Sequence, residues 1–164
     1  MKKLEVFTYL CLIAVSCIAG FVLVRESVER GHRSGPQSLA EGKQLRFSGV
    51  NWQKTKHSLV VVASSHCHWC QASAPFYGKV SSIHAANRSA FQFFVISPDS
   101  RADSDAFIGE HGIAADQLIS ASPSSFGVRA IPTVIVVDSN GRVVYAHTGL
   151  LSDGDQKRLL GMLG

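Results

Sequence analysis

The sequence predicts an α/β domain, with a central mixed β-sheet flanked by helices, preceded by one N-terminal transmembrane helix. Three features carry that prediction. An uncharged apolar run occupies residues 6–24. Beyond it, short runs rich in Val, Ile and Phe alternate with stretches that carry helix signals, as in a sheet whose strands are joined by helical crossovers. Near the end, two β-rich runs flank Asp138-Ser139-Asn140-Gly141, which marks an antiparallel hairpin.

Residues 1–5 include Lys2 and Lys3 and read as a short cytoplasmic N-terminus. The run that follows holds 19 residues without a charge. At about 1.5 Å per residue, a helix of that length just spans a hydrocarbon core of roughly 30 Å. The length favours an uncleaved anchor over a cleaved signal peptide, whose apolar region is shorter. A lipidated Cys17 fits less well, because the apolar run continues for seven residues past it. Cys11 and Cys17 then read as small apolar residues in lipid. Lys2 and Lys3 favour a cytoplasmic N-terminus, whereas Arg25, Arg30 and Arg33 oppose it. Residues 25–43 are charged and rich in Gly, Ser and Gln, so they read as a flexible linker. Residues 44–164 read as the folded domain.

Within that domain, residues 59–63 (LVVVA) form a continuous apolar run, suited to a strand buried on both faces. Residues 67–86 read as a helix interrupted by Pro75. Residues 91–97 (FQFFVIS) read as a second buried strand ended by Pro98, and residues 103–110 as a short helix. A third strand follows at 133–137 (TVIVV). Asn140-Gly141 predicts a type I′ turn into its partner strand at 143–147. Residues 152–160 close the chain with a helix, where Ser152 can cap and Asp153 and Asp155 suit the first turn.

The charge balance, 16 Lys and Arg against 12 Asp and Glu, gives a net +4. The charges are scattered rather than gathered into a stripe, so no nucleic-acid partner is expected. Beyond residue 24 the only cysteines are Cys67 and Cys70, too few for a structural disulfide framework.

Those two cysteines form a Cys-x-x-Cys pair where a buried strand runs through a loop into a helix. The unpaired N–H groups and the dipole of a first helical turn favour negative charge. A thiolate at Cys67 is stabilised there, and the thiolate is the nucleophile that attacks a disulfide. Cys70, one turn on, is placed to resolve the mixed disulfide. Cys67 is expected to be exposed and Cys70 more buried. His66 and His68 flank the nucleophile; a protonated imidazole there would stabilise the thiolate and make the pair more oxidising. Trp69 offers a flat apolar surface to a polypeptide substrate, or packs as a partly buried residue. A zinc site needs about four ligands placed tetrahedrally. His66, Cys67, His68 and Cys70 lie within five residues and do not easily surround one ion, so no metal is expected. Gln71 stands where c-type haem attachment needs His. No organic cofactor is implied. His32, His57, His84, His111 and His147 read as ordinary surface residues or polar contacts.

With this motif between strand and helix, residues 44–164 resemble the thioredoxin-like superfamily. Pro75, five residues after Cys70, matches the proline that kinks the family's active-site helix. Gly127-Val128-Arg129-Ala130-Ile131-Pro132-Thr133 resembles the segment that enters the family's cis-proline loop. The resemblance therefore implies a cis Pro132 beside the cysteines, with the Ile131 backbone pairing with an extended substrate peptide. Residues 133–149 and the helix after them resemble the family's closing hairpin and helix. The stretch from Cys70 to Pro132 is longer than in plain thioredoxin. The extra residues, roughly 99–122, resemble the insertion of the membrane-anchored TlpA and ResA branch.

That branch implies a single-pass protein of the bacterial inner (cytoplasmic) membrane, with its catalytic domain facing the periplasm or cell exterior. It implies a thiol–disulfide reductase acting on disulfide-containing exported proteins, apocytochrome c among them, fed by a membrane electron-donor protein. The lipid bilayer is met through residues 6–24. Two features depart from the family pattern. His68-Trp69 replaces Gly-Pro between the cysteines, and Val61 stands about where thioredoxins carry a buried acid. Glu110 and Asp116 in the insertion are the candidates to replace that acid. Two other readings share the fold: a thiol peroxidase of the peroxiredoxin group, and a copper carrier or chaperone using His66, Cys67, His68 and Cys70. The first is weakened because Ser64 and Ser65 precede Cys67 without the usual Pro-rich loop.

Overall fold

Five strands alternate with helices in the computed structural model, which describes residues 39, 41–47 and 49–164. The strands are β1 (His57–Val62), β2 (Phe91–Ser97), β3 (Gln117–Ser120), β4 (Thr133–Asp138) and β5 (Val143–Thr148). The α-helices are α1 (His68–Ala86), α2 (Arg101–Glu110) and α3 (Asp153–Leu163). The expected cytoplasmic N-terminus, the anchor with Cys11 and Cys17, and most of the linker lie outside the described residues. Among the described residues no helix is long and apolar enough to cross a membrane.

The sheet order is β3-β2-β1-β4-β5. β1, β2 and β3 run parallel, and β4 and β5 run antiparallel to their neighbours. β1 is central, and its Leu59, Val60, Val61 and Val62 are all within 1% of full burial. Alternate residues of β1 feed two cores. Leu59 and Val61 pack with Cys70, Tyr77 and Val80 of α1, Phe107 of α2, and Leu159 and Leu163 of α3. Val60 and Val62 pack with Phe94, Ile96, Ile135, Leu39 and Leu45 on the other face. Each such side chain contributes about 1.5–3 kcal/mol when fully buried.

The α-helices thus share one face. Right-handed crossovers explain the first two: the path β1-α1-β2-α2-β3 steps in one direction, so both helices fall on the same side. The other face is covered by short segments, in which Trp52 meets Phe94 and Phe47 meets Phe126 edge-on or tilted. Packing begins upstream of residue 44. Leu39 is buried, and Gly42, Lys43 and Leu45 exchange backbone hydrogen bonds with Val143 and Gly141. A polar composition suggests a linker there, but Gly42 and Lys43 find backbone partners along the hairpin, and Leu39 finds the core.

Two expectations are corrected. α1 is not interrupted at Pro75 but runs through it; the proline removes one N–H donor without ending a helix anchored by eight buried residues. The hairpin turn is not type I′. Of its residues only Gly141 has a positive φ, +74°. Gly141 N–H bonds the Asp138 carbonyl at 2.9 Å, and the Asp138 carboxylate accepts the N–H groups of Asn140 and Arg142 at 2.8 and 2.9 Å. With both N–H groups bonded to that side chain, no non-glycine residue of the turn takes a positive φ, and the left-handed position falls to Gly141.

Candidate active site

The site grows from the register of two parallel strands. Val62 of β1 lies opposite Ile96 of β2, so the chain leaves both strands at the same edge of the sheet. The β1–α1 loop therefore lies against the β2–α2 loop. Ser64 and Ser65 come from the first and Asp99 from the second. The Asp99 carboxylate accepts Ser64 Oγ at 2.8 Å, Ser65 N–H at 2.6 Å and Ser65 Oγ at 2.8 Å. Ser64 Oγ in turn accepts His66 N–H at 3.2 Å, and Gln71 Nε2 donates to the Ser65 carbonyl at 2.8 Å. Burial opposes ionisation of Asp99, but the bonds from Ser64 and Ser65 outweigh it and hold the carboxyl below its ordinary value.

This braced loop delivers Cys67 to the N-cap of α1. Cys67 Sγ accepts the Cys70 N–H at 3.3 Å. Its thiol also faces the Ile131 carbonyl at 3.9 Å, and the following Ile131–Pro132 peptide is cis. Thr133 secures that loop, donating to the Ala130 carbonyl at 2.7 Å and meeting Thr148 Oγ1 at 2.9 Å. Gly149 N–H donates to the Pro132 carbonyl at 2.8 Å.

The two sulfurs differ in setting. Cys67 is half-buried, while Cys70 is fully buried, and both are free thiols. Burial pushes the Cys70 thiol up to about 12, and its hydrogen bond to the Cys67 side chain adds to the shift. Cys70 therefore keeps its proton at neutral pH. Tyr77, buried near the pair, has its phenol pushed up by burial and by the two sulfurs.

Cys67, Cys70 and the Ile131–Pro132 loop come together. His66, His68 and Trp69 lie at the surface around them. His66 Nε2 faces Asp103 at 3.8 Å, and the His68 ring meets Trp69 edge-on at 5.2 Å. Trp69 is 56% exposed. Val61 is buried between Val95 and Val134, so no acid stands on that strand position. Asp116 is engaged elsewhere, accepting from Phe93 N–H at 2.8 Å and meeting His84 Nε2 at 3.0 Å. Glu110 is exposed at the end of α2. Among the described residues no group of three or more His, Cys, Asp or Glu is placed to hold a metal.

The network role of Asp99, Ser64, Ser65 and Gln71 is not marked in the sequence, although Ser64, Ser65 and Gln71 flank the cysteines there. The available signal was a pair of hydroxyl residues ending one strand and an acid just past the end of the next, which becomes informative once the two strands are known to be parallel neighbours. Beside the cis peptide a cleft of about 440 Å³ opens between residues 122–124 and 128–131.

Residues 34–163 match the Redoxin family. No curated protein matches the sequence. Among solved structures, the fold is similar to the thioredoxin domain of a thiol-disulfide oxidoreductase from Bacteroides vulgatus, at 21% identity and a TM-score of 0.61, covering 77% of this chain and 100% of that one. A thiol:disulfide interchange protein of the thioredoxin family from Chlorobium tepidum matches at 23% identity and a TM-score of 0.57, over 78% and 93% of the two chains. A thiol-disulfide isomerase from Corynebacterium glutamicum matches at 20% identity and a TM-score of 0.54, over 77% and 94%.

Proposed function

Because this chain belongs to the Redoxin family and shares the fold of thiol–disulfide oxidoreductases, we propose that it exchanges a Cys67–Cys70 dithiol with the disulfides of protein substrates. The Cys67 thiolate attacks one substrate sulfur. A Cys67–substrate disulfide forms, the substrate S–S bond breaks, and the departing sulfur takes the electron pair and a proton. Cys70 then loses its proton and attacks Cys67, releasing the second substrate thiol and leaving the Cys67–Cys70 disulfide. The Ile131 backbone is the natural partner for an extended substrate peptide held beside Cys67.

The observation that carries this reading is the asymmetry of the pair. One sulfur is half-exposed and accepts a helix N–H; the other is buried and holds its proton behind it. We assign the reductive direction, with residues 6–24 anchoring the domain in the bacterial inner membrane, facing the periplasm or cell exterior. The uncharged 19-residue run supports the anchor, and an oxidising compartment then requires a membrane protein to return electrons. Exported disulfide proteins, apocytochrome c among them, are the substrate class.

Trapping tests the proposal. Full-length Cys70→Ala in membranes is expected to accumulate a mixed disulfide through Cys67 with a discrete set of exported proteins. No reducible adduct, in a protein that folds, removes the enzymatic reading.

A further inference from the structure

The turn ahead of Cys67 is held by a carboxylate that no catalytic step requires. Asp99 directs both oxygens at Ser64 and Ser65. It does not cap its own helix: Ser100 does that, accepting Asp103 N–H at 3.2 Å. Its backbone N–H is tied to Ser97 Oγ at 3.2 Å, so the carboxylate is itself fixed. The braced residues continue through the Ser64 carbonyl, which accepts Cys67 N–H at 3.2 Å. One ionised side chain thus sets the backbone from which the nucleophile is presented.

We propose that Asp99 is a positioning residue for the dithiol, bracing the turn that presents Cys67 and placing a negative charge that favours the disulfide form of the pair. A fixed negative charge penalises every state in which a sulfur is ionised, and the disulfide has no such state. The charge therefore makes the reduced pair a stronger electron donor, in keeping with a reductase. The same carboxylate helps Cys70 retain its proton, although burial and Cys67 contribute more. This inference rests on the exchange reading above.

Equilibration of the full-length protein with glutathione separates the two. In that reaction the dithiol loses two protons and two electrons and forms one S–S bond, while oxidised glutathione breaks its S–S bond and takes them up. Asp99→Asn keeps the shape: its Oδ1 can accept from Ser65, and its amide can donate to Ser64 Oγ, an amphoteric hydroxyl. The variant is expected to fold with a modestly lower melting temperature, because its amide replaces bonds to a charged acceptor, and, at a pH where Cys67 is a thiolate, to lower the equilibrium constant for oxidation by about threefold, the scale of one charge acting through partly solvated protein. An unchanged constant in the folded variant overturns the role of the charge. Ser65→Ala keeps the charge and removes one bond of the brace. It is expected to leave the equilibrium constant alone and slow attack on a small aromatic disulfide by about threefold, near the weight of one hydrogen bond. An unchanged rate overturns the bracing role, and this result decides the matter should Asp99→Asn fail to fold. A wild-type protein that forms no Cys67–Cys70 disulfide at any glutathione ratio overturns the exchange reading itself.

Discussion

Both ends of α1 are held by an aspartate from the connection that follows β2, and the two ends use it differently. At the N-terminal end Asp99 takes bonds from Ser64 and Ser65, two residues from the reactive sulfur. At the C-terminal end Asp116 takes bonds from the Phe93 N–H and the buried His84 ring. Between them Gln71 meets His111 at 2.8 Å, and Ser81 accepts Ala114 N–H at 2.6 Å. The residues beyond β2 are thus fastened along the length of α1. The carboxylate near the sulfurs acts on charge and geometry at the site. The distant one satisfies buried donors and acts on stability. Residue type does not separate these roles; the groups that each aspartate meets do.

The largest expected effect falls on the reactive end. Cys67→Ser is expected to reduce insulin-disulfide reduction to the uncatalysed background without moving the melting temperature, since the side chain is half-buried and nearly isosteric. Residual reduction well above background would reassign the nucleophile to Cys70.

The far end should respond in the opposite sense. Asp116→Ala orphans the Phe93 N–H and the His84 ring nitrogen, and each buried polar group left unpaired costs about 1–3 kcal/mol. Urea unfolding should show a loss of that order, while the exchange rate per folded molecule stays within a factor of two or so of wild type, a difference well under 1 kcal/mol. A large fall in rate at equal folded fraction would show that the two ends of α1 are coupled.

The contrast between the ends also marks what could be read from sequence. β1, β2 and β4 were legible because their apolar runs are continuous and buried. β3 was not: QLIS is a short edge strand with half-exposed residues, and two apolar residues do not make a pattern. The cysteines were legible from spacing alone. Asp99 was not, because its bond to Ser65 spans 34 residues and exists only through the parallel register of β1 and β2. The family pattern places an acid on β1, where Val61 stands; here the carboxylate lies in the loop after β2, against the β1–α1 loop that it braces. Gly78 was equally silent. A Cβ there would stand 2.7 Å from the His111 carbonyl oxygen, a close approach that no local pattern encodes.

A smaller effect is expected from acid. Asp99 and Asp138 both titrate below the ordinary carboxylate value of 3.8; burial opposes this in each, and donated hydrogen bonds outweigh it. A carboxyl whose folded value is depressed contributes stability that is complete above the unfolded value and is lost as pH falls through the folded one. Stability should therefore decline below about pH 4, and Asp138→Asn should flatten part of that decline. A stability curve that is level from pH 5 to 2 would remove both contributions.

The smallest expected change in stability comes from Trp69, and it sharpens the comparison because it touches the reactive end without bracing it. The ring is mostly exposed, with the His68 ring against it edge-on, so Trp69→Ala should alter stability by only about 0.5 kcal/mol. Its cost should appear in substrate handling. A flat apolar face beside Cys67 gains from covering by a polypeptide and gains little from a small reagent. Reduction of a protein disulfide should therefore slow severalfold through KM, while reduction of a small aromatic disulfide stays near the wild-type rate. Equal slowing of both would mean that Trp69 shapes the sulfur itself, and equal rates for both would mean that the substrate docks along the cleft at residues 128–131 instead.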